Sequence, residues 1–116
     1  MRARAIARGI RMSPRKARLV VDLVRGKSVG NALEVLELAR QKAAKPVRKT
    51  ILSAMHNLAE KSEHPIEPSE MKIAEIFVDE GRTMQRIRPR AQGRAFRIRK
   101  RSSHVTVIVE HEAEGK

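Results

Sequence analysis

Residues 82–101 read RTMQRIRPRAQGRAFRIRKR, with nine Lys or Arg residues and no Asp or Glu. A solvated surface normally mixes charges of both signs, so this stretch predicts contact with a polyanion, most simply the phosphates of a nucleic acid. Pro89 and Gly93, with Ala91 and Gln92 between them, lie midway and favour a chain reversal. Ten residues out and ten back, at about 3.3 Å each, make an arm about 30 Å long. We therefore expect an extended basic β-hairpin with its tip at residues 88–94.

Two regularly alternating segments predict strands at the two ends of the chain. Residues 104–110, HVTVIVE, place their three valines on one face. Residues 2–11, RARAIARGIR, alternate arginine and isoleucine with three alanines, which form a face of small residues. Both segments have the period of two that is typical of a half-buried strand, so each is expected to cover one side of a core.

A third strand is predicted just before the arm, in residues 71–81, MKIAEIFVDEG. Ile76 and Val78 share one face of this segment, whereas Met71 and Ile73 are out of phase with them. An extra residue in a strand changes the phase of the side chains in this way. The pattern therefore predicts a β-bulge or a late strand start.

Three helices are predicted between the first strand and residue 62. Ser13 before Pro14 is a typical helix start, because a serine oxygen caps free N–H groups and a proline in the first turn loses no hydrogen bond. Gly26 is a typical helix end. A second helix begins near Ser28, and a third runs from about residue 42 to residue 61, with its proline inside the first turn. Apolar residues at helical spacing predict three buried stripes: Ala17, Val20, Val21 and Val24; Ala32, Val35, Leu36 and Ala39; Val47, Ile51, Ala54, Met55 and Leu58.

Together these elements predict an α+β fold, in which a small antiparallel sheet is packed with three helices and carries the long basic hairpin. A length of 116 residues suits one domain with one modest core. We expect a single domain, 1–116, that consists of a globular core of residues 1–81 and 102–110, the hairpin 82–101 and a frayed tail 111–116.

The composition excludes several classes of protein. The net charge is +13, and the only aromatic residues are Phe77 and Phe96. RNA-binding sheets and barrels that stack bases on aromatic side chains are therefore excluded, and binding is expected through phosphates and shape. The absence of cysteine excludes disulfides and a thiolate metal site. No apolar run reaches about 18 residues and no signal peptide is apparent, so we expect a cytoplasmic protein without a membrane partner.

Motifs that resemble catalytic sites are incomplete. Gly26-Lys27-Ser28 resembles the end of a phosphate-binding loop, but Val21 stands where that loop needs glycine. Ser13 and Lys16 have the spacing of penicillin-recognising enzymes, whose other motifs are missing. The four histidines lack the spacing of metal ligands. The acidic residues from Glu60 to Glu80 are interpreted as solvated surface charge. We therefore expect no enzyme, no catalytic residue, no metal, no cofactor and no small-molecule substrate.

Four segments carry a resemblance to a known family: SPRKARLV at 13–20, VDEG at 78–81, Gln85 followed by RAQGR at 90–94, and KRSSHVTV at 100–107. In this order, and over nearly the whole chain, they resemble the bacterial large-subunit ribosomal protein L-twenty-two family. The resemblance implies three helices on a small antiparallel sheet, with a long hairpin. It also implies that the globular part lies at the outer surface of the large subunit near the peptide exit. The hairpin would then thread through 23S rRNA and line the exit tunnel.

The resemblance also implies partners and individual site residues. The partners are 23S rRNA, neighbouring large-subunit ribosomal proteins and the nascent peptide at the tunnel wall. The helix-start motif falls on Ser13, Pro14, Lys16 and Arg18, and the hairpin signature on Gln85, Arg90, Gly93, Arg94 and His104. Phe96 and Arg97 depart from the family pattern.

From the charge pattern and the resemblance together we predict a set of rRNA-binding residues. They are Arg8, Arg11, Ser13, Pro14, Arg15, Lys16, Arg18, Lys27, Arg82, Gln85, Arg86, Arg88, Arg90, Arg94, Arg97, Arg99, Lys100, Arg101, Ser102, Ser103 and His104. The residues expected at the tunnel-facing tip are Arg88, Pro89, Arg90, Ala91, Gln92, Gly93 and Arg94. Their expected function is to bind and organise rRNA during assembly of the large subunit.

Two other classes of protein are weighed against this one. A small DNA-binding regulator or nucleoid protein would explain a basic helix after a cap, but it would concentrate its charge on a recognition helix rather than on a hairpin. A membrane-active cationic domain would need a strong apolar face beside the charge. The arm offers only four large apolar residues, Met84, Ile87, Phe96 and Ile98.

Overall fold

A computed structural model describes residues 1–81, 84–89, 95–100 and 102–111. Arg82, Arg101, the tip residues 90–94 (Arg90, Ala91, Gln92, Gly93 and Arg94) and the tail from residue 112 lie outside the described residues. The elements are β1 Arg2–Ile10, α1 Pro14–Val24, α2 Val29–Leu38, α3 Ala44–Lys61, β2 Lys72–Glu80, β3 Met84–Pro89, β4 Ala95–Lys100 and β5 Ser103–Glu110. One turn of 3₁₀ helix, Pro68–Glu70, lies between α3 and β2.

The core sheet has three strands in the order β1-β5-β2, and both pairings are antiparallel. Val107 of the central strand lies opposite Ala5 on one side and Ile76 on the other, and all three side chains are buried against the helices. The predicted valine face of β5 is therefore the centre of the core. Together with the three helices, this sheet confirms the predicted α+β fold.

A β-bulge interrupts each outer strand. In β2 the bulge lies between Ile73 and Glu75 and brings Ile73 to the same buried face as Ile76. This confirms the bulge that the out-of-phase pattern predicts. In β1, Ala7 pairs with Val105 and Ile10 pairs with Ser103, so two residues of β1 oppose a single residue of β5.

The helix starts follow from local hydrogen bonds. The Ser13 side chain accepts from Lys16 N at 3.4 Å, and the Ser28 side chain accepts from Asn31 N at 3.3 Å, so both serines are N-caps as predicted. After α1 the chain turns at Gly26, whose φ of 80° suits glycine. The third helix begins two residues before Pro46, as predicted. No helix in the described part of the chain is long and apolar enough to cross a membrane.

The predicted helix stripes form most of the core. α1 buries its whole predicted stripe, and α3 buries Ile51, Ala54 and Leu58. Val35, Ala39 and Met55 are partly buried at the margin of the core. Full burial of a side chain such as Ile51 or Leu58 contributes about 1.5–3 kcal/mol, so α3, which packs on β1 and β5, is a main source of stability.

The basic stretch contains a separate two-stranded antiparallel sheet, formed by β3 and β4. Met84 pairs with Lys100 at one end of this sheet, and Pro89 pairs with Ala95 at the other. Six residues at about 3.3 Å each span about 20 Å of the predicted arm.

At the end of the core sheet where β1 begins, the pairing of β1 with β5 extends to His111. Its N–H donates to the Met1 carbonyl at 3.0 Å, and its carbonyl accepts from the amino terminus at 3.2 Å. His111 is therefore held by the first residue of the chain, although the sequence places it in the tail.

Candidate nucleic-acid interface

The first part of the core is strongly basic, whereas the rest of the core is nearly balanced in charge. Residues 1–27, which form β1 and α1, contain nine basic residues and one acid, whereas residues 28–81 contain nine acids and seven basic residues. Within the described residues, the cations in ion pairs are Arg2, with Glu75 and Glu110, Arg25, with Asp22, and His111, with Glu70 if it is protonated. The exposed cations of residues 1–27 that form no ion pair with a described residue are Arg4, Arg8, Arg11, Arg15, Lys16, Arg18 and Lys27. These residues therefore carry positive charge that no ion pair within the described residues compensates.

The base of the hairpin lies at one end of the core sheet. Ser103 pairs with Ile10 on one side and with Glu80 on the other, and Gly81 N donates to the Ser102 carbonyl at 2.9 Å. A Cβ on Gly81 would lie 2.5 Å from Ser102 Oγ, so a larger residue at this position would require the Ser102 side chain to move. Because β1 leaves the sheet at this same end, the start of α1 lies beside the hairpin base.

Two of the predicted site residues are buried and help to build this corner. The Ser103 side chain is fully buried, and its hydroxyl donates to the Met12 carbonyl at 2.6 Å. Pro14 is also buried, at the first position of α1. Ser103 and Pro14 therefore position the exposed cations around them. A sequence motif does not reveal whether a residue contacts rRNA directly or positions the residues that do.

His104 fills the gap that the β1 bulge leaves. Its Nδ1 accepts a hydrogen bond from Gly9 N at 3.0 Å, and Gly9 has a φ of 67°. The bulge takes the Gly9 N–H out of the ladder with β5, and the imidazole supplies the missing acceptor. This hydrogen bond requires that Nδ1 carry no proton, so in the neutral ring the proton is on Nε2.

Arg18 has a structural contact that its motif does not reveal. One guanidinium nitrogen of Arg18 donates to the Val78 carbonyl at 3.0 Å. Arg25, which follows the last residue of α1, donates in the same way to the Ile76 carbonyl at 2.9 Å. These two arginines attach α1 to β2, whereas Arg15 and Lys16 are exposed and form no side-chain hydrogen bond within the described residues.

The hairpin positions in the predicted set are placed by backbone register. Gln85 pairs with Arg99, Ile87 with Arg97, and Met84 with Lys100. Arg86 and Arg88 pair with Ile98 and Phe96. Since residues 82–101 contain no acid, no position in this ladder places a basic residue opposite a carboxylate.

A groove beside the start of α1 includes residues that the sequence analysis did not single out. It has a volume of about 390 Å³ and is lined by Arg11, Met12, Ser13, Lys16, Leu19, Gln41, Lys42 and Ala43. Leu19, Gln41 and Lys42 lie outside the predicted set. Lys42 is distant from Lys16 in sequence, so only the packing of the α2–α3 connection against α1 reveals their proximity. The one signal in the sequence is Leu19, an apolar residue outside the predicted stripe of α1.

No group of three or more His, Cys, Asp or Glu residues in residues 1–81 and 102–111 is arranged to hold a metal ion. The interface described here consists instead of exposed Lys and Arg side chains on a folded corner. Such side chains neutralise phosphates and release counterions, which is the dominant source of affinity for a nucleic acid. The chemistry available to this surface is therefore the binding of a polyanion.

Residues 5–110 match the family model described as ribosomal protein L22p/L17e. The match covers most of β1, all three helices and strands β2 to β5. The chain belongs to this family. The match confirms the part of the resemblance that concerns an L-twenty-two-type ribosomal protein.

As a member of the L22p/L17e family, the chain is a protein of the large ribosomal subunit. It binds rRNA and lies in the ribosome beside other ribosomal proteins. Proteins of this family are structural, non-enzymatic components, which agrees with the incomplete catalytic motifs. The exposed cations of β1 and α1 and the basic sequence of residues 82–101 give this L22p/L17e chain the positive charge that suits rRNA phosphates.

Proposed function

We propose that this chain is a bacterial ribosomal protein that binds and organises 23S rRNA during assembly of the large subunit. Its globular core docks on the rRNA at the outer surface of the subunit. Its hairpin extends along the rRNA and lines the nascent-peptide exit tunnel, where the tip meets the nascent peptide. The chain acts as a single domain, with residues 1–81 and 102–110 as one core, and neighbouring large-subunit proteins contact that core.

The observation that carries the proposal is the position of the hairpin relative to the uncompensated cations. The hairpin joins the end of β2 to the start of β5, at the end of the core sheet where β1 leads into α1. Arg11, Lys16 and the basic hairpin sequence therefore lie at the same end of the molecule. Acids are absent from residues 82–101, so the arm has no internal charge compensation and phosphates fill that role.

Within this proposal the basic residues have two functions. Arg8, Arg11, Arg15, Lys16 and Lys27 dock the core on rRNA phosphates, because they are exposed and form no ion pair within the described residues. The arm residues Arg82, Gln85, Arg86, Arg97, Arg99, Lys100 and Arg101 bind rRNA along the hairpin, and residues 88–94 face the tunnel. Arg18, Ser103 and His104 hold the corner in shape through their contacts with Val78, Met12 and Gly9.

The DNA-binding alternative has less support. A recognition helix presents its basic side chains outward to base edges. Arg18 in α1 and Arg25, the residue that follows this helix, donate instead to carbonyls of β2. Binding of the isolated chain to duplex DNA as tightly as to large-subunit rRNA at the same salt concentration would favour the DNA-binding function.

The tunnel function is tested by shortening the hairpin. Residues 88–94 are removed, the gap is closed with a short turn, and cells carry only the shortened protein. We expect it to co-sediment with large subunits in high salt, because docking depends on the core and on the hairpin base. Ribosome profiling should then show altered stalling, and sensitivity to macrolides should change. Full incorporation with normal stalling and a normal drug response would show that the tip does not line the tunnel.

A further inference from the structure

The groove at the start of α1 is lined by both cationic and apolar residues. Its cationic lining residues, Arg11, Lys16 and Lys42, are exposed, and no Asp or Glu is among the residues that line it. Its apolar lining residues are the partly buried Met12, the buried Ala43 and Leu19, which is 62% exposed although it is a large apolar residue. A volume of about 390 Å³ lies within the range of about 300–1,000 Å³ that is usual for small-molecule sites.

These features suit a ligand that is anionic on one side and flat and apolar on the other. An unstacked nucleotide has this form, because its phosphate is charged and its base presents a π-face. Bases that leave a helix are received by stacking on aromatic rings or guanidinium planes. This groove has no aromatic residue, but Arg11 offers a guanidinium plane and Met12 a polarizable thioether, which makes favourable contacts with aromatic rings.

The groove is continuous with the surface that docks the core on rRNA. The Met12 carbonyl accepts the Ser103 hydroxyl, so one wall of the groove is fixed to the residue where the hairpin returns to the core. Ser13 Oγ accepts from Lys16 N–H, and the Gln41 amide is a lining group that can both donate to and accept from a base edge. A free nucleotide would compete poorly with a strand already held nearby by many phosphate contacts.

We infer that this groove holds a single unstacked nucleotide of the rRNA, with its base on Met12 and Leu19 and its flanking phosphates beside Arg11, Lys16 and Lys42. The inference rests on the proposed docking of the core on rRNA and adds to it a site that reads one unpaired position. It predicts that Leu19 and Lys42, which lie outside the predicted set of rRNA-binding residues, contribute to affinity in different ways. Leu19 acts through the base, and Lys42 acts through a phosphate.

The test measures binding of the full chain to purified large-subunit rRNA at several salt concentrations, with chemical probing of the RNA at nucleotide resolution. The groove variants are Leu19→Ser and Lys42→Gln. Their matched controls are Leu38→Ser, at a leucine that is 84% exposed on α2, and Lys45→Gln, at an exposed lysine in the first turn of α3. All four positions are exposed, and circular dichroism checks that each variant remains folded.

We expect Leu19→Ser to weaken binding about 3- to 10-fold without a change in the salt slope, since a stacked base contributes little to counterion release. We expect Lys42→Gln to lower the magnitude of the log–log slope by about 0.7–0.9, the value for one phosphate. One unpaired nucleotide that the unaltered chain protects should become reactive with Leu19→Ser. Both controls should bind and protect like the unaltered chain.

Groove variants that match their controls in affinity, slope and footprint would overturn the inference while leaving the docking function intact. Normal rRNA binding, with reduced incorporation of a neighbouring protein into reconstituted subunits, would mean that a peptide occupies the groove, and would also overturn it. A log–log salt slope near one for the unaltered chain and the controls would contradict the proposed docking on rRNA. It would thereby overturn the inference as well.

Discussion

The hydroxyl of Ser103 donates to the main-chain carbonyl of Met12 across 2.6 Å, in a position where the Ser103 side chain is fully buried. The two residues are far apart in sequence, yet this bond joins the return of the hairpin to the turn that precedes α1. The start of the basic helix and the base of the basic arm are therefore parts of one rigid corner. Changes in this corner are expected to affect stability and rRNA binding together.

Ser103→Ala should lower the free energy of unfolding by about 1–3 kcal/mol, because it leaves the Met12 carbonyl without its buried donor. Urea denaturation followed by circular dichroism measures this change. Ser53→Ala, at an exposed position on α3, is the matched control and should stay within about 0.5 kcal/mol of the unaltered chain. Equal stabilities for the two variants would show that the hydrogen bond contributes nothing.

The contact between Gly9 and His104 gives a second prediction. His104→Ala removes the acceptor of the Gly9 N–H and should cost about 0.5–1 kcal/mol, a value in the lower range because water reaches this site. His104→Asn places an amide oxygen near the position of Nδ1 and should restore most of the loss. The comparison uses thermal and urea denaturation. An asparagine variant no more stable than the alanine variant would show that packing of the ring, and not its nitrogen, is what stabilises the bulge.

Gly9 itself has a conformational role that can be separated from steric effects. Its φ is 67°, and a Cβ at this position would have no atom within 4 Å. Gly9→Ala should therefore lower the free energy of unfolding by about 1–2 kcal/mol, through the strained backbone alone. Gly9→Asn should cost less, because asparagine adopts this conformation more readily. Equal costs for the two variants in urea denaturation would contradict the conformational explanation.

The sequence predicts those parts of the fold that local patterns encode. Serine caps, valine alternation and the phase change at Ile73 all act within a few residues, and each prediction is confirmed. The contacts of Ser103 and His104 join residues more than 90 positions apart, so no local pattern could reveal them. The groove was missed for the same reason, because Lys42 reaches it only when the α2–α3 connection packs beside α1.

Arg15 and Arg18 separate binding from stability. Arg15 is exposed and forms no ion pair within the described residues, so Arg15→Gln should weaken rRNA binding and lower the salt slope by about 0.7–0.9 without destabilising the core. Arg18→Gln removes a donor to the Val78 carbonyl and should cost about 0.5–1.5 kcal/mol of stability. Binding titrations and urea denaturation of both variants measure the two effects. A stability loss for Arg15→Gln as large as that for Arg18→Gln would contradict this separation.

The unaltered chain should bind large-subunit rRNA with a steep salt dependence. Each phosphate contact contributes about 0.7–0.9 to the log–log slope, so six or more arm contacts give a magnitude above about four. Arg90→Ala should lower the affinity modestly, because many other contacts remain. Filter binding between low and physiological salt measures the slope, and a magnitude near one would exclude the hairpin as a phosphate-binding arm.

Hydrogen exchange should distinguish the core sheet from the β3–β4 sheet in the free protein. β5 is hydrogen-bonded on both edges and buried on one face, so its amides should exchange only on global unfolding. β3 and β4 pair only with each other, and a two-stranded sheet alone is marginally stable in water. Their amides should therefore exchange about 100-fold faster or more, a ratio set by the difference between local and global opening.

Addition of large-subunit rRNA should slow exchange in β3 and β4 strongly, because phosphates then neutralise the arm and fix its position. Exchange in α3, whose buried face packs inside the core, should change little and provides the internal control. Mass spectrometry of exchanged peptides from the same sample reports all three elements at once. Protection of β3 and β4 in the free chain equal to that of β5 would show that the arm is stabilised by the protein alone, and would leave rRNA without a role in ordering it.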